Sequence, residues 1–424
     1  MQTGPTAVPG ARFDDLAAGT VLEFDSFDEI VVARSPGDVL PALRRVQRAV
    51  DRGRWAAGYV AYEAALGLDP RFRCHEPTPG RPLVWFGLAD APFSEPTALP
   101  AGDTVDLDWQ SQWTPQEHAD RLTRVHAAIA RGDTYQCNLT TRLTADLPAG
   151  LLAEAGERRR WYAHLARRQQ GSFHAHLETG GLSVLSASPE LFLRHEDGIL
   201  TVRPMKGTAA RGTDLGSDQA ARARLEASEK DRAENVMIVD LMRNDVARVS
   251  RTGSVAVTDL LACEAYPTVW QLTSTVTGRT LPDTGLPELF SGLFPCGSIT
   301  GAPKASTMDL IAELEDAPRG IYCGAVGYLA PGARPRTVFS VAIRTVVADL
   351  VAGTAEYGVG GGITWSSTAA DEYGELLAKS RILTDRRDGE AFAAAGATVG
   401  QTATAAAGGS AGSAATSGER TVEA

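Results

Sequence analysis

Residues 182 to 208 read LSVLSASPELFLRHEDGILTVRPMKGT, and the Asp197-Gly198 pair at their centre decides the fold class of this region. An Asp-Gly step between apolar runs is the strongest short hairpin signal, so the stretch predicts antiparallel strands. The register of that hairpin then decides which side chains meet. A two-residue turn pairs positions summing to 395, which sets Glu190 opposite Met205 and turns Lys206 to the other face. A three-residue turn with a glycine bulge pairs positions summing to 396 and sets Glu190 opposite Lys206. The second register is the expectation, with Pro189 and Pro204 interrupting the ladder.

Working outward, Thr114 stands before Pro115 with Glu117 three residues on, a capping-box layout. Leu122, Val125 and Ile129 then share one helical face, and Gly132 supplies the stop, which predicts a helix of about 17 residues ending at that glycine. In TYQCNLTTRL the side chains alternate, with Gln136, Asn138, Thr140 and Arg142 forming one polar strand face that meets either solvent or a polar cavity. One long helical stretch is read over 218–245, with Leu225, Val236 and Val239 among its apolar positions. Further helices are read after Pro303 and over DEYGELLAKSRIL. RTVFSVAIRTVVADL, 336–350, alternates as one strand in which the charged Arg344 needs a partner. Residues 1–112 form a β-rich N-terminal subdomain, 113–387 a catalytic domain, and the Ala/Gly/Ser/Thr-rich 388–424 a disordered tail.

The chain has 424 residues, 43% of them hydrophobic, and a net charge of −11. An acidic protein lacks the clustered Lys and Arg that hold phosphate backbones, which argues against nucleic acid; the run Arg158 to Arg160 reads as a solvated helix face. No apolar run long enough to span a membrane occurs and the first residues lack the layout of a secretory signal, so a cytoplasmic location is expected, with no membrane contact. The five cysteines have no metal-ligand spacing and read as reduced, mostly buried thiols.

Several groups have chemical potential and a bland alternative. Glu372, Glu375 and Lys379 share one helical face, which suits a surface ion pair or, together with Glu234, a hard cation. GVGGGITW, with Gly360, Gly361 and Gly362 in a row, suits a tight bend or a close backbone approach to an anion. It is no dinucleotide fingerprint, and GSITGAPK is no phosphate loop, since Ala302 and Pro303 stand where that motif needs Gly and Lys. Lys206 alone would be an ordinary surface lysine; to attack carbon it must be neutral.

In order along the chain, SPELF, RPMKGT, KDRAENVMIVDLMRND, FPCGSITGAPKASTMDLIAELE, IYCGAVGY, VAIRT and GVGGGITW with DEYGELLAK resemble the motif series of the chorismate-utilising enzymes, over roughly 114–385. RFDDL and GYVAYE look like the N-terminal part of the aminodeoxychorismate synthase component I branch, and RPMKGT is similar to its PIKGT rather than to the PIAGT of anthranilate synthases. The resemblance implies an α+β fold, an anthranilate-synthase-like α/β sandwich of two large antiparallel sheets flanked by helices. It implies that Lys206 attacks C2 of chorismate, that Glu190 acts as general acid and that ammonia enters at C4, giving 4-amino-4-deoxychorismate on the route to 4-aminobenzoate. Glu234 and Glu375 match magnesium ligands, with Glu372 contributing through water. Gly207, Thr208, Tyr322, Arg344, Gly360 to Gly362 and Lys379 match positions that contact the substrate carboxylates.

Gln136 stands where isochorismate-forming relatives have a water-activating lysine, so water addition is disfavoured. Gln271 and Ser366 depart from a common histidine and a common aspartate, while Met205 replaces isoleucine at similar volume. No glutaminase nucleophile elbow is present, which implies nitrogen from free ammonia or from a glutamine amidotransferase subunit, and a separate aminodeoxychorismate lyase downstream. The alternatives are an anthranilate or aminodeoxyisochorismate synthase large subunit, which Lys206 argues against, and a non-catalytic chorismate-binding regulatory subunit.

Overall fold

The computed structural model describes residues 8–93, 95–266, 269–384 and 393–394. The expected tail, 388–424, lies outside the described residues apart from Ala393–Ala394, which pair in parallel with Gln110–Ser111.

Asp197 and Gly198 take φ values of 51° and 72°, the two positive angles of a two-residue hairpin turn. Glu196 therefore pairs with Ile199 and Arg194 with Thr201, a sum of 395; an irregularity between Leu191 and Arg194 then shifts the pairing the other way, to Leu191 with Arg203. The expected register of 396 is overturned, because the turn twists with its strands and needs no third residue. Pro204 ends the second strand, and Met205–Ala210 starts afresh against Val269–Arg279.

Two ten-stranded sheets, almost entirely antiparallel, form the body. The first includes Gly10–Asp15, Gln136–Asp146, Phe173–Glu178, Leu182–Ser188, Thr345–Asp349 and Thr354–Ile363. The second includes Trp55–Val60, Val84–Ala89, Leu191–Glu196, Ile199–Arg203, Met205–Ala210, Val269–Arg279, Ala325–Ala330 and Arg336–Val341. Residues before 112 supply strands to both sheets, together with the helix Pro36–Asp51.

The stretch 336–350 is thus not one strand. It leaves the second sheet at Val341 and enters the first at Thr345, with Arg344 at the corner in a left-handed conformation, φ 52°. Pro189-Glu190 makes the opposite crossing, between Ser188 in the first sheet and Leu191 in the second. The two corners are bonded: Val341 N–H donates to Glu190 C=O at 3.1 Å, and Ala187 N–H to Arg344 C=O at 3.0 Å. Two residues with expected chemistry therefore sit where the sheets exchange chain.

The helix Pro115–Arg131 forms as its sequence dictates. Thr114 Oγ1 accepts the Glu117 N–H, the Glu117 carboxylate accepts the Thr114 N–H at 2.7 Å, and Gly132 closes the end at φ 79°. The long stretch 218–245 instead forms two helices, Leu215–Ala227 and Glu229–Ala247, because Ser228 breaks the first and caps the second through Asp231 N–H. Leu225 and Val239 are buried, but Val236 is 46% exposed. The run at 158–160 also differs from expectation. Arg158 is buried, its guanidinium on the Glu178 carboxylate at 2.8 Å and the Leu151 carbonyl, while Arg159 reaches Glu23 and Arg160 reaches Asp103.

The largest apolar cluster joins the second sheet to the helices Pro36–Asp51, Glu229–Ala247 and Leu286–Leu293 through Val46, Phe192, Ile238, Phe290 and Phe339. Each such side chain contributes about 1.5–3 kcal/mol when removed from water. A second cluster, with Trp161, Leu185 and Tyr357, backs the first sheet against the helix Ala155–Gln169. All five cysteines are free thiols.

Candidate active site

Four pieces of chain converge on Lys206: the Glu190 corner, the glycine triplet, and the helices Glu229–Ala247 and Ala369–Ser380. Its charge acts on Glu190, Glu234, Glu375 and Lys379. The polar face of Gln136–Asp146 is turned inward, with Gln136, Asn138 and Thr140 all buried. Of the two readings of that face, the structure takes the polar cavity. Thr140 bonds Glu315 through both N–H and hydroxyl, at 2.9 and 2.8 Å. Gln136, fully buried, finds no hydrogen-bond partner among the described residues for either polar atom of its amide.

Gly362 explains why the triplet carries no side chains. A Cβ there would stand 2.5 Å from Gln136 Nε2 and 2.9 Å from Lys206 Nζ, so glycine lets the amide and the amine both close on the strand. On the opposite face of that strand, Glu372 Oε2 lies 2.8 Å from where a Gly361 Cβ would be. Gly360 is opposite Thr140, and its carbonyl accepts from Lys379 Nζ at 2.6 Å.

Glu190 is 4% exposed and accepts from Ser298 Oγ at 2.6 Å. Burial pushes its carboxyl up to about 7, against the opposing effects of the Ser298 bond and the Lys206 charge. A carboxyl that holds its proton near neutrality is suited to donate it to a leaving group. Ser298, in GSITGAPK, was not singled out by sequence reasoning, because a hydroxyl beside a helix entry has many bland uses. Cys296 Sγ lies 3.3 Å from the same hydroxyl.

The acidic groups behave differently from one another. Burial raises Glu234 and Glu372, and among the described residues each leaves one oxygen without a hydrogen-bond partner, Glu234 Oε1 and Glu372 Oε2. Ser367 Oγ donates to the other Glu372 oxygen at 2.6 Å, and Lys230 stands 4.0 Å from Glu234. Burial works against Glu375 too, but Lys379 at 2.6 Å, helped by Lys206 and Lys230, holds it below its ordinary range. No three acidic, histidine or cysteine side chains gather as a ready metal site among the described residues. A buried Glu372 oxygen with no hydrogen-bond partner among the described residues, and a buried Glu234 oxygen met by Lys230 at 4.0 Å, nonetheless fit a hard cation that brings its own waters, as magnesium does.

The remaining expected contacts are split between the site and its rim. Arg344 donates to the Lys379 carbonyl at 2.9 Å, which places both cations together, and burial lowers Lys379 against the pull of Glu375. Tyr322 is set further along the same strand, its ring packed where a Gly358 Cβ would be. Thr208 is exposed, and its hydroxyl donates to Gln271 Oε1 at 2.7 Å.

A scan of known families matches residues 89–385 to the chorismate binding enzyme model. The chain belongs to the chorismate-binding enzyme family. This family member is 38% identical over 336 residues to aminodeoxychorismate synthase component 1 of Salmonella typhimurium, covering 79% of this chain and 67% of that one. It is 37% identical over 302 residues to the protein of the same name from Klebsiella aerogenes, covering 71% and 63%. The matched region thus spans about two thirds of the length of these relatives. Among solved structures, anthranilate synthase component I from Streptococcus pneumoniae TIGR4 superposes with a TM-score of 0.70 at 25% identity, over 90% of this chain and 91% of that one. The α+β sandwich is therefore the family's fold. Among the described residues no helix is long and apolar enough to cross a membrane.

Proposed function

We propose that this chain aminates chorismate at C4 with ammonia, giving 4-amino-4-deoxychorismate for 4-aminobenzoate synthesis, toward folate or a specialised metabolite. The observation that carries the reading is the pairing of a buried, proton-holding Glu190 with the amine of Lys206 in one polar cavity. In the first displacement the neutral Lys206 amine bonds C2, the C4–oxygen bond breaks, and the oxygen leaves as water with the Glu190 proton. In the second, ammonia bonds C4, the C2–nitrogen bond to Lys206 breaks, and the proton shed by the new amine returns to Glu190. The sum is chorismate plus ammonia giving product plus water.

Arg344, Lys379 and the Gly207-Thr208 step hold the two carboxylates, with Tyr322 and the glycine triplet shaping that wall. Glu234 and Glu372, with Glu375 beside them, would hold magnesium, which supplies charge neutralisation for a substrate carboxylate. Gln136, an amide that cannot take up a proton at neutral pH, lines the cavity without activating water. Ammonia comes from a glutamine amidotransferase subunit in the cytoplasm, and a lyase completes 4-aminobenzoate. Anthranilate formation, the activity in the structural neighbour's name, needs nitrogen at C2, where the Lys206 bond would stand.

Purified chain, chorismate, magnesium and ammonium, followed by added lyase, are expected to yield 4-aminobenzoate. Anthranilate as the main product, or chorismate bound without turnover, would overturn the reading.

A further inference from the structure

The strand that carries Lys206 is not regular. Met205 pairs with Thr273, a sum of 478, but Thr208 pairs with Gln271, a sum of 479, so one extra residue is inserted between them. Gly207 lies in that insertion at φ 84°, the geometry of a glycine bulge, and such bulges re-aim neighbouring side chains. The bulge is what sends Lys206 across to Gly362 in the other sheet. A bulge disturbs the ladder, and here one side chain bonds the backbone of Gly207 and the side chain of Thr208 beside it. Gln271, only 9% exposed, donates from Nε2 to the Gly207 carbonyl and accepts at Oε1 from the Thr208 hydroxyl, each at 2.7 Å.

The same strand also fixes the helix of Glu234. Asn235 accepts from Ser274 Oγ at 2.6 Å and donates to the Leu272 carbonyl, while Gly207 packs against Asp231, whose Cβ lies 2.9 Å from where a Cβ on that glycine would be. Residues 271–274 therefore set both the lysine strand and the carboxylate helix.

We infer that Gln271 is a positioning residue for the proposed reaction: its amide staples the Gly207 bulge and so fixes the aim of Lys206. This rests on the C4-amination reading for the identity of the nucleophile. The role needs a donor and an acceptor on one planar group, which an amide has and a carboxylate lacks. The titratable groups facing Gln271 are Asp231, against Gly207, and Glu264, opposite Gln271 on the next strand and paired with Arg203.

The test compares Q271M, which keeps volume and removes both bonds, with Q271E, which keeps shape and replaces the donor. Chorismate consumption at saturating ammonium and magnesium is expected to fall in kcat by ~10-fold or more in Q271M, with KM within about twofold and the melting temperature little changed. The Q271E to wild-type ratio of kcat should rise toward acid pH, as the carboxyl gains the proton that lets it donate to Gly207. A wild-type kcat in Q271M, a loss confined to KM, or a ratio flat with pH would overturn the inference. Product identity, measured in the same reactions, tests the C4 reading separately.

Discussion

Replacing Glu190 with glutamine removes a proton site while keeping the side chain's volume. Glu190 is 4% exposed, and its carboxyl rises from an ordinary 4.5 to about 7. Below about pH 4.5 the group is protonated in both folded and unfolded chains and has no effect on stability. Between about 4.5 and 7 the unfolded chain loses this proton and the folded one keeps it, so stability falls as pH rises. Above about 7 the loss is complete, and at ~1.4 kcal/mol per pH unit it amounts to about 3 kcal/mol. Glu63, also raised by burial to about 7, is present in both proteins and cancels from their difference. Urea denaturation followed by tryptophan fluorescence, from about pH 4.5 to 8, gives the comparison. The wild type is expected to lose about 3 kcal/mol relative to E190Q across that range, while E190Q loses turnover by ~10²-fold or more. Parallel stability curves would refute the assignment of a buried, proton-holding carboxyl.

Three further outcomes follow from the geometry. Gly362→Ala meets the ends of two movable side chains, Gln136 Nε2 at 2.5 Å and Lys206 Nζ at 2.9 Å, so turnover should drop ~10-fold or more while stability changes by about 1 kcal/mol or less. Magnesium should raise the melting temperature of the wild type, and Glu234→Gln and Glu372→Gln should each shrink that rise and raise the magnesium concentration for half-maximal turnover; an unchanged rise in both would count against this pair as ligands. Lys379→Met removes the cation bonded to the Gly360 carbonyl and Glu375, and should raise KM for chorismate more than it lowers kcat in steady-state assays.

What the sequence made legible was local. The helix Pro115–Arg131 is fixed by Thr114, Glu117 and Gly132 within its own ends, so its limits were readable. The hairpin was readable from Asp197-Gly198, but its register depended on turn angles and on an irregularity between Leu191 and Arg194 that no residue type announces. The stretch 336–350 reads without a break because both of its strands are buried along most of their length. Only Arg344's positive φ divides them, and the meeting of two sheets imposes that angle. Arg158 looked solvated because its partner, Glu178, lies on a strand beyond the helix end. Within the site, Lys206, Glu190, Glu234 and Glu372 were named through an ordered motif series, while spacing alone left Lys206, Glu234 and Glu372 each with a bland alternative. Ser298 and Gln271 escaped a role because a hydroxyl and an amide acquire one only from partners far along the chain, Glu190 and the Gly207 bulge.

The central claim is that Lys206 becomes covalently attached to the substrate carbon. Incubating the chain with chorismate and magnesium in the absence of ammonia, then quenching and digesting it, lets mass spectrometry read the peptide that contains Lys206. The expected result is a mass increase of chorismate less water, localised to Lys206, absent from K206A and discharged when ammonium is added before the quench. Steady formation of the C4-amino product by K206A, or by a wild type whose Lys206 never carries the adduct, would contradict it.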